Sequence, residues 1–137
     1  MDRMRETNSL IDCIRLRSVQ TGPAGGIDWT KAAELRGIAF MSCQLNYSNF
    51  KLLKLPGIKM TDCEVKDADF TEADFSKSDF KKTDFEKSRF LKTNLSGANF
   101  KGARNYSINV LYNTLKKTKF SYPEVLALLN SLDIVIE

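Results

Sequence analysis

Phenylalanine occurs in this 137-residue chain only at positions that are multiples of five. All nine obey the rule, at positions 40, 50, 70, 75, 80, 85, 90, 100 and 120. Nine randomly placed residues would share one chosen frame with a probability on the order of one in two million, so the spacing is a structural rule. A period of five fits neither the 3.6 residues of a helical turn nor the two-residue alternation of a strand. The chain must therefore turn every five residues.

The same frame holds an apolar residue at fourteen consecutive positions. This core column consists of Leu35, Phe40, Leu45, Phe50, Leu55, Met60, Val65, Phe70, Phe75, Phe80, Phe85, Phe90, Leu95 and Phe100. A second column of mostly small residues precedes it by two positions, and glycines such as Gly57 and Gly102 follow it by two. Four five-residue sides would close a coil of twenty residues, with both columns inside and the glycines at corners. The pattern predicts an all-β solenoid with a filled interior.

Several of the five-residue units resemble the pentapeptide-repeat family, notably those that begin at Ala68, Ala73 and Ala98. The resemblance implies a right-handed quadrilateral β-helix. We divide the chain into an N-terminal segment (1–32), the repeat region (33–120) and a C-terminal segment (121–137). The N-terminal segment is either irregular or an imperfect first coil, because Trp29 ends a series of apolar residues that is one residue out of frame. An insertion near Ala32 would explain the offset.

The C-terminal segment predicts a short α-helical cap followed by a short strand over 133–137. Ser121 and Glu124 have the spacing of a capping box, in which two side chains satisfy the first amides of a helix. The candidate cap and dimer residues are Ser121, Glu124, Val125, Leu126, Leu128, Leu129 and Leu132. The helix either covers the end of one coil or pairs with a second copy of the chain, because its leucines exceed what one coil end needs.

The same segment resembles the C-termini of the quinolone-resistance (Qnr-type) pentapeptide proteins. That resemblance implies a rod-like homodimer that interacts with DNA gyrase or topoisomerase IV. This chain departs from the group in two respects: it is several coils shorter, and no long loop interrupts residues 35–100. A glycine-rich stretch over 22–26 is either a remnant of such a loop or a flexible lead-in.

Charge alternates along the chain, and its most acidic stretch is residues 62–74. The candidate partner-binding acidic band consists of Asp62, Glu64, Asp67, Asp69, Glu72, Asp74, Asp79 and Asp84. The last four aspartates, at five-residue spacing from 69 to 84, would encircle the coil as a ring. The band either keeps the rod soluble and attracts basic coils along the axis, or presents carboxylates in place of DNA phosphates. The formal net charge of +4 argues against a uniformly DNA-like surface.

Composition removes most enzyme classes. The chain has no histidine, so it lacks imidazole bases and histidine metal ligands, and three scattered cysteines cannot form a four-cysteine zinc site. We predict no enzymatic activity, no cofactor and no metal. Cys43 and Cys63 lie twenty residues apart in the small column, and we expect both to be reduced packing residues. No apolar run is long enough for a membrane span or a signal peptide, so we predict a cytoplasmic location.

These observations favour a non-enzymatic binding protein. The leading hypothesis, by resemblance, is a DNA-mimicking modulator or protector of DNA gyrase or topoisomerase IV. The alternative is a generic pentapeptide-repeat scaffold for another protein. We expect no direct binding to nucleic acid, because the basic stretch over 75–104 lacks exposed aromatic rings that would stack on bases.

Overall fold

The computed structural model describes residues 28, 29, 39–135 and 137. The expectations for Leu35, the five-residue series upstream of Asp28 and the rest of the N-terminal segment lie outside these residues. Strand β1 spans Ala39–Met41 and strand β2 spans Lys59–Thr61. The two pair in parallel, with Phe40 opposite Met60. A 3₁₀ helix over Glu124–Leu132 follows near the C-terminus.

Parallel bridges between residues twenty apart connect the rest of the chain, as the repeat predicts. We number four ladders of such bridges in chain order. The first ladder is Lys59–Asp79–Asn99–Lys119, the second Gln44–Glu64–Asp84–Arg104, the third Asn49–Asp69–Arg89, and the fourth Lys54–Asp74–Asn94 with Thr114. Each bridged residue directly precedes a multiple-of-five position, and as far as Phe100 that position belongs to the core column. Successive coils are therefore stacked in register, about 4.8 Å apart.

Trp29 extends the stack with a shift of one residue. Asp28 bridges Asn49, which is 21 residues away, and the Trp29 amide donates to the Asn49 carbonyl at 3.0 Å. The Trp29 ring stacks on Phe50 with a centroid distance of 6.0 Å and an interplanar angle of 3°. Trp29 is thus an inward residue of an earlier coil, and the extra residue falls between it and Phe40.

The corners of the coil lie two residues after each core-column position. Fourteen of these corner residues have positive φ, and only Gly57, Gly97 and Gly102 among them are glycine. The bond that closes the corner runs from the fourth residue of the turn back to the first, as from the Ala73 amide to the Phe70 carbonyl at 3.1 Å. Positive φ at the residue before the donor is what a type II turn requires. The other eleven corners hold an L side chain in this region, which costs about 1 kcal/mol each.

The core column is buried throughout the described coils. Its thirteen described members are at most 8% exposed. Phe70 stacks between Phe50 and Phe90, with centroid distances of 5.0 and 4.9 Å. These distances match the rise of one coil, so aromatic rings fill the interior from coil to coil.

The small column adds a second set of bonds between coils. The Thr93 hydroxyl donates to the Phe70 carbonyl at 2.8 Å, and the Thr118 hydroxyl donates to the Leu95 carbonyl at 2.7 Å. In each case the acceptor lies 23 residues earlier. Serine and threonine are therefore tolerated inside the coil because their hydroxyls find partners.

The two stacked cysteines differ in oxidation state. Cys63 is a free, buried thiol, and burial raises its pKa to about 11. Cys43 takes part in a disulfide. The two are therefore not bonded to each other, and the expectation of a reduced thiol is wrong for Cys43.

The C-terminal helix differs from the predicted α-helical cap. Glu124–Leu132 is a 3₁₀ helix, Pro123 precedes it, and no side chain caps its first amides. The predicted capping box is wrong because the Ser121 hydroxyl accepts a bond from the Gly102 amide at 2.9 Å. Ser121 therefore continues the coil. Among the described residues beyond Leu132 there is no strand, contrary to prediction; Asp133 is left-handed, and Ile134 and Val135 are exposed.

Candidate functional site

The aspartates of the predicted ring are parts of the corners. Asp69 Oδ1 accepts bonds from the Thr71 amide at 2.9 Å and from the Thr71 hydroxyl at 2.5 Å. Asp74, Asp79 and Asp84 accept the amide two residues later at 3.0 to 3.2 Å. Asn49, Asn94 and Asn99 make the same bond at 3.0 to 3.1 Å. The side-chain oxygen of asparagine accepts this corner bond as well as a carboxylate does. An aspartate at this position is therefore explained by the fold, without a binding role.

Each ring aspartate also has a basic residue as a ladder neighbour. Asp69 bridges Arg89, and Asp84 bridges Arg104. Asp74 and Asp79 bridge Lys54 and Lys59 in the coil before. The four carboxylates point outward on four different ladders, and each is flanked by a cation. Alternating acidic and basic residues along each ladder favour the stacking of neighbouring coils. The same basic neighbours interrupt the ring of negative charge.

The remaining acids of the band are more accessible. Asp62, Asp67 and Glu72 occupy three successive corners of one coil and are exposed. Asp62 accepts a bond from the Ser42 hydroxyl at 3.2 Å. Glu64 is half-buried on the second ladder and accepts a bond from the Asn46 amide group at 3.3 Å.

The second ladder places two acids in successive coils, because Glu64 bridges Asp84. Lys66 lies between two of them, with its Nζ 3.8 Å from Asp84 Oδ2 and 3.7 Å from Glu86 Oε1. Asp84 is also 3.7 Å from the Arg104 guanidinium. We call Glu64, Asp67, Asp84 and Glu86 the acidic face. Glu86 is missing from the predicted band, although its twenty-residue spacing from Lys66 would have placed it here.

The 3₁₀ helix leaves part of its surface uncovered. Val125 packs against the core and Leu128 is buried, whereas Leu126 and Leu132 are 42% and 40% exposed. Residues three apart align along a 3₁₀ helix. Leu126, half-buried Leu129 and Leu132 therefore form one stripe on the outer side, which we call the leucine stripe.

A shallow depression of about 260 Å³ separates this helix from the last coil. It is lined by Asn105, Tyr106, Pro123, Glu124 and Ala127. The Tyr106 hydroxyl is buried beside it and has no hydrogen-bond partner. Burial, with a contribution from the Glu124 carboxylate, raises the pKa of Tyr106 to about 12. A neutral phenol without a partner neither acts as a base nor holds a cation at ordinary pH.

The described residues offer neither a metal site nor a membrane-spanning helix. Residues 39–135 with Asp28, Trp29 and Glu137 contain no group of three or more metal-ligating side chains. No helix in this part of the chain is long and apolar enough to cross a membrane.

Comparison with known proteins gives the family and similar folds. The family model "Pentapeptide repeat region" matches residues 30–100. The chain is similar to full-length QnrB1, a plasmid-mediated fluoroquinolone resistance protein, with 15% identity, coverage of 92% of this chain and 95% of that one, and a TM-score of 0.45. It is also similar to the pentapeptide repeat protein Rfr23 from the cyanobacterium Cyanothece 51142, with 14% identity, coverage of 67% and 64%, and a TM-score of 0.41. No curated protein matches the sequence.

The matched region covers more than half of the chain, and its described part, residues 39–100, lies within the stacked coils. The family model thus rests on the same five-residue units that form the ladders. This chain belongs to the pentapeptide-repeat family.

Proposed function

We propose that the protein is a non-enzymatic binding protein that acts through the outer surface of its coils. The observation that carries this proposal is the filled interior: the core column and the small column occupy the space inside the ladders. A substrate cleft needs convergent polar groups in a concavity, and the outward side chains of a coil diverge.

We further infer that the coils form a right-handed quadrilateral β-helix. The twenty-residue register, divided by a corner every five residues, supports four sides per coil. Family membership supports the same architecture.

The partner that we propose first is a type II topoisomerase, either DNA gyrase or topoisomerase IV. The support is the resemblance of the C-terminal segment to the quinolone-resistance group. A DNA-like surface on this chain would be the acidic face, because Asp69, Asp74 and Asp79, the ring aspartates outside it, are engaged in corner bonds. Its carboxylates are partly offset by Lys66 and Arg104, so the mimicry would be local.

The test is a gyrase supercoiling assay with and without a fluoroquinolone. We expect micromolar protein to change either the supercoiling rate or the drug concentration that halves it. The triple variant Glu64→Gln, Asp67→Asn, Glu86→Gln should lose this effect. Its control, Glu72→Gln, Asp133→Asn, Glu137→Gln, changes the same charge elsewhere and should keep it. If the wild-type protein has no effect, the topoisomerase proposal fails.

A generic scaffold for another protein is the second candidate. It is favoured by exposed apolar side chains beside the third ladder, where Leu52, Leu91 and Leu111 are 60%, 38% and 67% exposed. Apolar side chains grouped on one side of a soluble protein mark interaction sites. This candidate predicts that affinity capture recovers another protein reproducibly, without topoisomerase subunits, and that Leu91→Asp with Leu111→Asp abolishes the capture.

We also propose that the leucine stripe pairs two copies of the chain. The stripe faces away from the coil, and Tyr122 and Val135 near it are 79% and 83% exposed. Sedimentation of Leu126→Asp with Leu132→Asp should give the monomer mass, whereas Leu52→Asp, a control on the coil, should keep the dimer mass. If the wild-type protein is a monomer, the helix serves only to cover the end of the coil.

The cytoplasmic location remains a prediction of the sequence.

A further inference from the structure

Positive charge is concentrated at the C-terminal end of the coils. Residues 87–123 contain eight lysine and arginine residues and no aspartate or glutamate. Four of these eight residues each stack on an aspartate or glutamate of the preceding coil. Arg89 and Arg104 bridge Asp69 and Asp84, and Lys87 and Lys92 stand at corners twenty residues after Asp67 and Glu72.

The other half lies on the fourth and first ladders, which are neighbours because the chain passes from one directly to the other. The Gly97 amide donates to the Lys116 carbonyl at 2.9 Å, and the Lys82 amide donates to the Lys101 carbonyl at 3.0 Å. These bonds place Lys101 directly above Lys81, and Lys117 above Gly97, which itself stands above Lys77. The resulting lysine edge consists of Lys77, Lys81, Lys82, Lys101, Lys116, Lys117 and Lys119, all exposed.

The lysine edge carries more positive than negative charge. Its acids are Asp62, which stands at a corner twenty residues before Lys82, and Asp79; both line a depression with Lys81 and Lys82. Among the described residues, one carboxylate lies within ion-pair distance of the edge: Asp79 Oδ2, at 3.7 Å from Lys81 Nζ. Lys101 stands above Lys81 in the same position of the next coil, and Lys117 stands two coils above Lys77, about 10 Å away. Like charges stacked this closely repel one another, and an anion bound along the edge would relieve the repulsion.

The side chains between the lysines indicate which anion fits. They are Ser96, Gly97, Asn99, Gly102 and Thr114, which are small, polar or lack a side chain. Two exposed large apolar residues border the edge: Met41 lines a depression with Lys81 and Lys82, and Tyr122 follows Ser121, whose hydroxyl accepts a bond from the Gly102 amide. Protein partners are held by clusters of buried aromatic and aliphatic anchors, and these two separate side chains do not form such a cluster. Phosphate backbones are held by cations and small hydrogen-bond donors, which it does.

We propose that the lysine edge binds the phosphate backbone of double-stranded nucleic acid without regard to base sequence. The sequence argument against nucleic acid concerned aromatic stacking on bases, which a backbone contact does not need. The packed interior holds the lysines at fixed spacing along a straight edge. The fourth-ladder lysines lie across the coil from the acidic face, whereas Lys82 stands at the corner between the first ladder and the second. The proposal does not depend on a topoisomerase, so it stands or falls separately from the proposed function.

Fluorescence anisotropy with a labelled 20-base-pair DNA duplex tests the proposal. An edge that contacts three to four phosphates should lose affinity roughly 40- to 150-fold between 50 and 200 mM salt. The edge variant Lys101→Gln, Lys117→Gln, Lys119→Gln should weaken binding at 50 mM salt at least tenfold. The control Lys51→Gln, Lys87→Gln, Lys92→Gln, with the same charge change beside the third ladder, should weaken it less than threefold. Circular dichroism confirms that each variant is folded.

Four outcomes would overturn the proposal. The wild-type protein may show no duplex binding at 50 mM salt, or both triple variants may lose affinity equally, which would reduce the effect to net charge. A polyglutamate peptide bound through the edge more tightly than the duplex would assign the edge to an acidic protein. Phosphatidylserine vesicles bound more tightly than the duplex would assign it to a membrane surface.

Discussion

The Thr83 hydroxyl donates to the Met60 carbonyl at 2.6 Å and accepts a bond from the Cys63 amide at 3.3 Å. Thr83 is fully buried. One inward side chain thus ties two backbone groups of the preceding coil to its own coil. The ladders alone leave both groups inside an apolar stack, where an unpaired polar group is costly.

Replacing Thr83 by valine keeps the volume and removes both bonds. We expect Thr83→Val to lower the free energy of unfolding by about 2–3 kcal/mol, because two buried backbone groups lose their partner. Ser78→Ala is the matched control. Its hydroxyl makes one longer bond, to the Leu55 carbonyl at 3.4 Å, so the loss should be about 1 kcal/mol. Urea titration measures both, and equal losses would show that the bonds of Thr83 contribute little.

The corners predict a second pair of effects. Lys87 has φ +61°, and Lys87→Gly should raise the free energy of unfolding by about 0.5–1 kcal/mol by removing a strained side chain. At Gly102, with φ +74°, an added Cβ would lie 3.1 Å from Lys82 Cγ, whereas at Gly57 it would meet nothing within 4 Å. Gly102→Ala should therefore lower the melting temperature more than Gly57→Ala. Equal shifts would mean that φ alone sets the cost.

The buried Tyr106 hydroxyl predicts a pH dependence. The folded pKa of about 12 exceeds the unfolded value of 10.0, so the unfolded chain loses this proton first as pH rises. The contribution of Tyr106 is complete below pH 10 and is lost between pH 10 and about 12. Tyr106→Phe should flatten the loss of stability in this range. At pH 7 it should be neutral or slightly stabilising, because the hydroxyl has no partner to lose. Parallel alkaline curves for both proteins would contradict the assignment.

Phe70 predicts the cost of breaking the aromatic column. It is fully buried and lies within 5.0 Å, between centroids, of both Phe50 and Phe90. Phe70→Ala should lower the free energy of unfolding by about 3–5 kcal/mol. Phe120, at the end of the stack, is half-buried, so Phe120→Ala should cost clearly less. A similar cost at both positions would mean that the column does not stabilise through stacking.

The interior of this fold was predictable because a five-residue period leaves one way to bury its apolar positions. The corners at Gly57 and Gly102 followed from the same period. The one-residue offset of the first coil also followed, because Asp28 pairs with Asn49, 21 residues away. The position of Arg89 beside Asp69 follows from the twenty-residue spacing across a ladder, which charge summed along the chain does not show.

The C-terminal end was harder to predict because its residues satisfy two patterns at once. Ser121 and Glu124 have capping-box spacing, yet Ser121 also falls twenty residues after Lys101 and takes that place in the coil. Nine residues are too few for apolar spacing to distinguish 3.6 from three residues per turn. Tertiary contacts decide, as when the Ser131 hydroxyl accepts a bond from the Val110 amide at 3.2 Å.

The one-residue shift at Trp29 has a consequence for how such a chain can change in length. Inside the stack, one added residue would turn every later core side chain outward until the frame was restored. Insertions and deletions there should therefore occur in multiples of five residues. Between Trp29 and Phe40 the ring of Trp29 still reaches Phe50 after a single added residue. The stack can therefore grow by duplicating whole coils, whereas single insertions are confined to the place where the register has already slipped.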